Sequence, residues 1–90
     1  MSVALAETLD LKAAGPLRAA LMEARGAPVS IDASAVQRLG GLCLQVLLSA
    51  EATWATDGQP FSISTASAAF AEGARRMGAP SLVPDQILQE

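Results

Sequence analysis

Few side chains in this sequence could carry out chemistry. The sequence has no histidine and no tyrosine, and Cys43 is its single cysteine. Histidine-dependent acid–base catalysis, a disulfide within the chain and the usual zinc ligand sets are therefore excluded. The carboxylates of Asp10 and Asp32 could form a catalytic pair, but no nucleophile or base completes a site. We expect Asp32 to cap a turn, and we expect no enzyme activity, metal or cofactor.

Cys43 and two serines are the remaining groups that could react. A thiol near a helix N-terminus can have a lowered pKa, but a lone cysteine in an apolar run is more simply a small hydrophobic residue. Ser34 follows Asp32 in a predicted turn, where a hydroxyl bonds to the local backbone, and Ser49 lies inside a predicted helix. We therefore expect neither a reactive thiol nor phosphorylation at these serines.

Composition indicates one folded domain. About half of the 90 residues (51%) are hydrophobic and the net charge is -3, so we expect a single domain over residues 1–90. The six basic residues are scattered among nine acidic ones, which leaves no basic footprint for nucleic acid. No signal-peptide pattern opens the chain, and no run approaches about 18 uncharged apolar residues. We expect a cytoplasmic protein that does not insert into a membrane.

Turn residues divide the chain into alternating strands and helices. Alternating apolar residues predict the strands, and apolar residues three or four apart predict the helices. The predicted strands lie at 3–9, 29–32 and 61–64. The helices are predicted from Pro16 to Gly26, from Gly40-Gly41 to Asp57-Gly58, and across Phe70, Ala74 and Met77 up to Gly78.

This alternation predicts a small α/β domain. Strands that alternate with helices pair in parallel through helical crossovers, so we expect a mixed, mostly parallel sheet with three to four helices packed on it. Residues 82–90 could add a short C-terminal helix after Pro84, or they could fray. Trp54 is expected to anchor the end of the second helix against a strand or the tail.

The segment VSIDASAVQRLGGLCLQVLL, residues 29–48, resembles the central signature of STAS domains. That family includes anti-sigma-factor antagonists and the cytoplasmic tails of sulfate transporters. In its signature an aliphatic strand ends in Asp-Leu-Ser, a hydrophobic residue follows, and Asp-Ser-Ser-Gly-Leu opens a helix. The matching positions here are Asp32, Ala33, Ser34, Val36 and Leu44. Segments around the first and third predicted helices resemble the family too, so the resemblance covers nearly the whole chain.

The chain departs from the family pattern where the second helix begins. Signalling members carry Asp-Ser-Ser-Gly there, whereas this sequence has Gly40, Gly41, Leu42 and Cys43. In antagonists a partner kinase phosphorylates the first of those serines, and its charge switches partner choice. The matching residue is Gly41, which has no side chain to phosphorylate. The resemblance therefore implies a module without the usual phosphorylation switch.

The second predicted helix is apolar on nearly every side, and two orientations fit its sequence. In the first, the inward residues are Leu44, Leu47, Leu48, Glu51 and Ala55. In the second, they are Cys43, Val46, Leu47, Ala50 and Trp54. The first orientation leaves Leu42, Cys43 and Val46 outward, where an apolar patch is typical of an interaction site. The second makes the apolar run mostly core and the glycines a tight turn.

From the first orientation we predict a partner-binding surface made of Gly40, Gly41, Leu42, Cys43 and Val46. Two function classes fit it. One is a non-catalytic module of bacterial signal transduction that binds a kinase or regulator; the second half of the stretch 38–58 resembles a STAS subgroup encoded beside chemotaxis genes. The other is an accessory subunit that docks on the ATPase of a membrane lipid transporter, which is similar to the small STAS partner of such ATPases. The sequence leaves the choice, and the oligomeric state, open.

Overall fold

Strands and helices alternate along the chain as the sequence predicts. The computed structural model describes residues 2–84 and 87–88. Its strands are β1 (Ser2–Ala4), β2 (Thr8–Leu9), β3 (Val29–Ala33), β4 (Arg38–Leu39), β5 (Phe61–Ser67) and β6 (Ile87–Leu88). Its helices are α1 (Leu11–Glu23), α2 (Gly41–Thr56), α3 (Ala68–Arg76) and a short 3₁₀ helix, Pro80–Leu82.

All strand pairs among the described residues are parallel. The main sheet has the order β1-β3-β5-β6, and β2 pairs with β4 in a separate two-stranded sheet. In β3, the buried side chains of Val29, Ile31 and Ala33 alternate with half-buried ones, while Ser62 and Ser64 of β5 are exposed. Because successive strand residues face opposite sides, one face of the sheet is apolar and helix-covered and the other is polar. The predicted α/β fold is confirmed.

The observed strands differ from the predicted ones in number and in length. The segment predicted as one strand, 3–9, contains two strands that belong to different sheets. The sequence analysis misses β4, because a strand of two residues is too short to show any periodicity. Conversely, β5 runs to Ser67, three residues beyond the predicted end.

α1 begins at Leu11, five residues before Pro16. The predicted start of this helix is therefore wrong. The carboxylate of Asp10 accepts hydrogen bonds from the backbone N–H groups of Lys12 and Ala13, each at 3.1 Å. This N-cap satisfies donors that a helix start otherwise leaves unpaired. Pro16 consequently lies inside the helix, where its missing N–H removes one helical hydrogen bond.

The C-terminal elements correct two further predictions. Phe70 and Ala74 of α3 are buried as predicted, but Met77 lies beyond the helix and is 41% exposed. Ile87–Leu88 form β6, which pairs with β5, rather than part of the helix predicted after Pro84. The rest of that predicted segment, residues 85, 86, 89 and 90, lies outside the described residues.

Two side-chain contacts hold α2 against α1 and the loop before β3. Trp54 is buried; its Nε1 donates to the carbonyl of Ala27 at 2.8 Å, and its ring meets that of Phe61 edge-on at 6.0 Å. The predicted anchoring role of Trp54 is thus confirmed. Nearby, Arg25 Nε donates to Asp57 Oδ2 at 2.9 Å, which lowers the pKa of Asp57 and raises that of Arg25. The C-terminal ends of the two helices are thereby joined.

The two adjacent glycines at the start of α2 have different roles. The N–H of Gly40 donates to the carbonyl of Leu9 at 2.8 Å, and a Cβ on Gly40 would lie 2.7 Å from that same oxygen. A side chain is therefore excluded at Gly40 by the close approach of two backbones. At Gly41, a Cβ would meet no heavy atom within 4 Å, so there is room for the Cβ of another residue.

This difference predicts opposite effects of the same substitution. Gly40→Ala should lower the free energy of unfolding by about 2 kcal/mol or more, since the new methyl group overlaps a backbone oxygen. Gly41→Ala should leave it unchanged or raise it by up to about 1 kcal/mol, because alanine is the better helix former. Urea unfolding followed by circular dichroism measures both values, and equal effects of the two substitutions would contradict the prediction.

Candidate protein-binding site

The orientation of α2 decides which of its apolar side chains a partner could reach. The buried side chains of α2 are those of Cys43, Leu44, Leu47, Ala50 and Trp54. This set is nearer to the second predicted orientation than to the first. The expectation that Cys43 faces outward is therefore wrong, and Val46, which the second orientation buries, is half-buried.

Cys43 belongs to the core rather than to a binding surface. Its side chain is fully buried, and the thiol Sγ donates to the backbone carbonyl of Asp10 at 3.3 Å. Burial raises the pKa of the Cys43 thiol, and the negative charge of Asp10 raises it further. The helix N-terminus does not produce a reactive thiolate here, because loss of solvation outweighs the helix dipole.

The other residues predicted to bind a partner lie together at the start of α2. Leu42 is 49% exposed, Gly41 is exposed, and Gly40 and Val46 are half-buried. Leu42 and Val46 are four residues apart, so they occupy the same side of the helix. That side of α2 borders α1, and an exposed apolar face therefore exists between the two helices.

The neighbouring helix contributes two residues that the sequence analysis missed. Leu11 and Met22 of α1 are 77% and 50% exposed. They are eleven residues apart, three turns of helix, and therefore lie on one side of α1. Since the thiol of Cys43 reaches the residue before Leu11, the two helices begin side by side. Recognising Asp10 as an N-cap would have placed Leu11 in α1.

A groove of about 410 Å³ separates the exposed faces of α1 and α2. Met22 and Val46 supply apolar lining, and Gln45 and Ser49 add neutral polar groups. We call this feature the α1–α2 groove. Its size and its mixture of apolar and polar side chains suit a helix or loop inserted from another protein.

The charged groups at the α1–α2 groove are basic. Arg18 and Arg25 line it, and none of its lining residues is acidic. Arg25 is paired with Asp57, whereas Arg18 forms no salt bridge with any described residue. The first turn of α2 itself lacks an acidic residue, and the nearby negative charge is that of Asp10, which adds to burial in raising the pKa of Cys43. The lining of the groove is therefore locally basic, although the whole chain carries a net charge of -3.

The two carboxylates considered as a catalytic pair both have structural partners. Asp10 caps α1, and Asp32 accepts a hydrogen bond from the backbone N–H of Ser34 at 2.9 Å. Hydrogen bonds from the side chain and backbone of Ser34 lower the pKa of Asp32, and the predicted turn-capping role of Asp32 is confirmed. Within the part of the chain that the structure describes, no three His, Cys, Asp or Glu residues are grouped as metal ligands.

Comparison with known proteins identifies the family. A family model described as "Mlab, STAS domain" matches residues 1–84, and the chain belongs to the STAS domain family. No curated protein and no solved structure matches the chain. STAS domains are in general regulatory modules that bind other proteins and do not catalyse reactions. Among the described residues, no helix is long and apolar enough to span a membrane.

The burial of Cys43 predicts a thiol that reagents reach only after unfolding. In native protein at neutral pH, Ellman's reagent should modify Cys43 at the rate of global or local opening, because the thiol is enclosed and its pKa is raised. In denaturant the reaction should be complete within the mixing time. Rapid stoichiometric modification of the native protein would contradict the placement of Cys43 in the core.

Proposed function

We propose that this protein is a non-catalytic interaction module that docks on an acidic surface of a partner through the start of α2 and the α1–α2 groove. The exposure of Leu42 carries the proposal. A leucine that is half exposed at the entrance of a helix leaves apolar surface in water, and desolvation of that surface by a partner would stabilise a complex. Gly40, Gly41 and Val46 adjoin it, and Leu11 and Met22 extend the apolar area along α1.

The docking surface works without a phosphorylation switch. Gly41 occupies the position of the phosphorylated serine in antagonists, and it is exposed with free space where a side chain would stand. A phosphate there would add nearly two negative charges to a basic surface. Because glycine cannot accept it, the surface keeps the same charge at all times, and control of the complex lies in the partner or in the amount of protein.

Two classes of partner are candidates. The first is a kinase or regulator of a bacterial signalling pathway such as chemotaxis, supported by the resemblance of the second half of the stretch 38–58 to STAS proteins encoded beside chemotaxis genes. The second is the ATPase of a membrane lipid transporter, supported by the similarity to the small STAS partner of such ATPases. Both partners place the module in the cytoplasm. Binding measurements with the purified kinase and the purified ATPase of the source organism distinguish the two classes.

Leu42→Asp should abolish most of the binding and preserve the fold. Aspartate at the second position of α2 is compatible with the helix dipole, so the free energy of unfolding should change by no more than about 0.5 kcal/mol. Affinity for the partner should fall by about tenfold to a hundredfold, because a charge would be buried in an apolar contact. Isothermal titration calorimetry and a thermal melt measure the two quantities.

Met77→Asp is the matched control for Leu42→Asp. Met77 has a similar exposure, 41%, but follows α3, away from the α1–α2 groove. Replacement of Met77 should change neither the affinity for the partner nor the free energy of unfolding. If Leu42→Asp binds as tightly as Met77→Asp, the proposed surface is wrong; if Leu42→Asp unfolds, Leu42 contributes to the core instead.

Because Gly41 offers no phosphate acceptor, we predict that the mass of the protein does not change when a partner kinase and ATP are added. Incubation of the protein with the partner kinase and ATP should add no phosphate, as judged by intact-mass spectrometry, because Gly41 has no hydroxyl. The G41S variant should fold normally, since the new side chain has free space, and it should become phosphorylated if the kinase recognises this STAS domain. Stoichiometric phosphorylation of the unmodified chain at Ser34 or Ser49 would disprove the prediction.

A further inference from the structure

β1 leaves one edge of the main sheet unpaired. It pairs with β3 on one side, and none of the strands that the structure describes lies on the other. The N–H of Leu5 donates to the carbonyl of Asp32 at 2.9 Å. Since backbone groups of a parallel strand alternate between its two sides, the N–H and C=O of Ala4 point away from β3. These groups are available to another strand.

Apart from the shortness of β1, which has three residues, this edge lacks the features that normally prevent strands from pairing. Residues 2–6 read Ser-Val-Ala-Leu-Ala, without a charge or a proline, which are the usual protections of an exposed edge. A groove of about 350 Å³ lies between β1 and α1, and its lining includes Val3, Pro16 and Ala20. Val3 is only half-buried, so the apolar core is open at this edge.

Two exposed charges of opposite sign lie at the ends of α1, close to the helix side on which Pro16 and Ala20 line this groove. Lys12, Pro16, Ala20 and Glu23 are spaced by four, four and three residues, so they form one stripe along the helix. Lys12 and Glu23 are exposed, and neither forms a salt bridge with a described residue. Between them the stripe has only small side chains, which allow a second helix to approach closely.

We propose that two copies of this chain form a dimer by antiparallel pairing of their β1 edges around Ala4. The N–H and C=O of Ala4 then bond to Ala4 of the second copy, and the two main sheets become continuous. On the helix-covered face, Val3 of one copy opposes Leu5 of the other and closes the open groove. A two-fold axis here makes the α1 helices antiparallel, which brings Lys12 of each copy to Glu23 of the other.

The charge pattern identifies the occupant as a second copy. The stripe on α1 is complementary to itself when reversed, because its basic and acidic residues lie at opposite ends. An unrelated strand would need no such pattern on α1. The α1–α2 groove lies on the opposite side of α1, so a dimer presents two docking surfaces at once.

Sedimentation velocity over a concentration series tests the dimer. The unmodified chain should sediment as a dimer at high concentration. Ala4→Pro should shift it to a monomer, because proline removes the outward N–H while the bonds from Val3 and Leu5 to β3 remain. A chain that remains monomeric at its highest soluble concentration would overturn the proposal and leave the edge to a strand of another protein.

Charge reversal tests the geometry without touching β1. Glu23→Lys should raise the dimer dissociation constant by about tenfold or more, since it places like charges opposite each other twice. The double variant Lys12→Glu with Glu23→Lys should restore dimerisation. Arg18→Glu, a reversal on the other side of α1, is the control and should not weaken the dimer. If Glu23→Lys leaves the dimer dissociation constant unchanged, or if the double variant does not restore it, the proposed pairing is wrong. This test is decisive even if Ala4→Pro does not fold.

Discussion

The hydrogen bond from the N–H of Gly40 to the carbonyl of Leu9 is the contact on which the arrangement of the first two helices depends. It joins the end of β2 to the residue before α2 at 2.8 Å, and a side chain is excluded at Gly40 because its Cβ would lie 2.7 Å from the same oxygen. Because α1 follows directly after β2, the same contact sets the two helix N-termini side by side. The thiol of Cys43 completes this junction by donating to the carbonyl of Asp10.

The apolar character of α2 on all sides follows from this junction. One half of the helix packs on the sheet through residues such as Leu47 and Trp54. A neighbouring side of the helix borders the α1–α2 groove, which Val46 lines, and Leu42, one turn before Val46, is half exposed. A helix that contacts a sheet on one side and a partner on another needs apolar residues on both. Gly41 keeps the entrance free of charge and of bulk.

α1 lies between two surfaces of different character. Its side toward α2 carries Leu11, Met22 and the two groove arginines, and we assign it to a partner protein. Its side toward the β1 edge carries small residues between Lys12 and Glu23, and we assign it to a second copy of the chain. The two surfaces do not overlap, so dimerisation and docking are compatible, and a dimer that binds a clustered partner would gain avidity.

The sequence by itself determined the alternation of strands and helices, both ends of α2, the capping role of Asp32, the STAS resemblance and the loss of the phosphate acceptor at Gly41. These features depend on local residue types and short-range periodicity. Tertiary structure decided the rest: the rotation of α2 that buries Cys43, the pairing of the two-residue strands, and the participation of α1 in the site. A helix that is apolar all round has no preferred face of its own, so only the neighbouring sheet and α1 could select one.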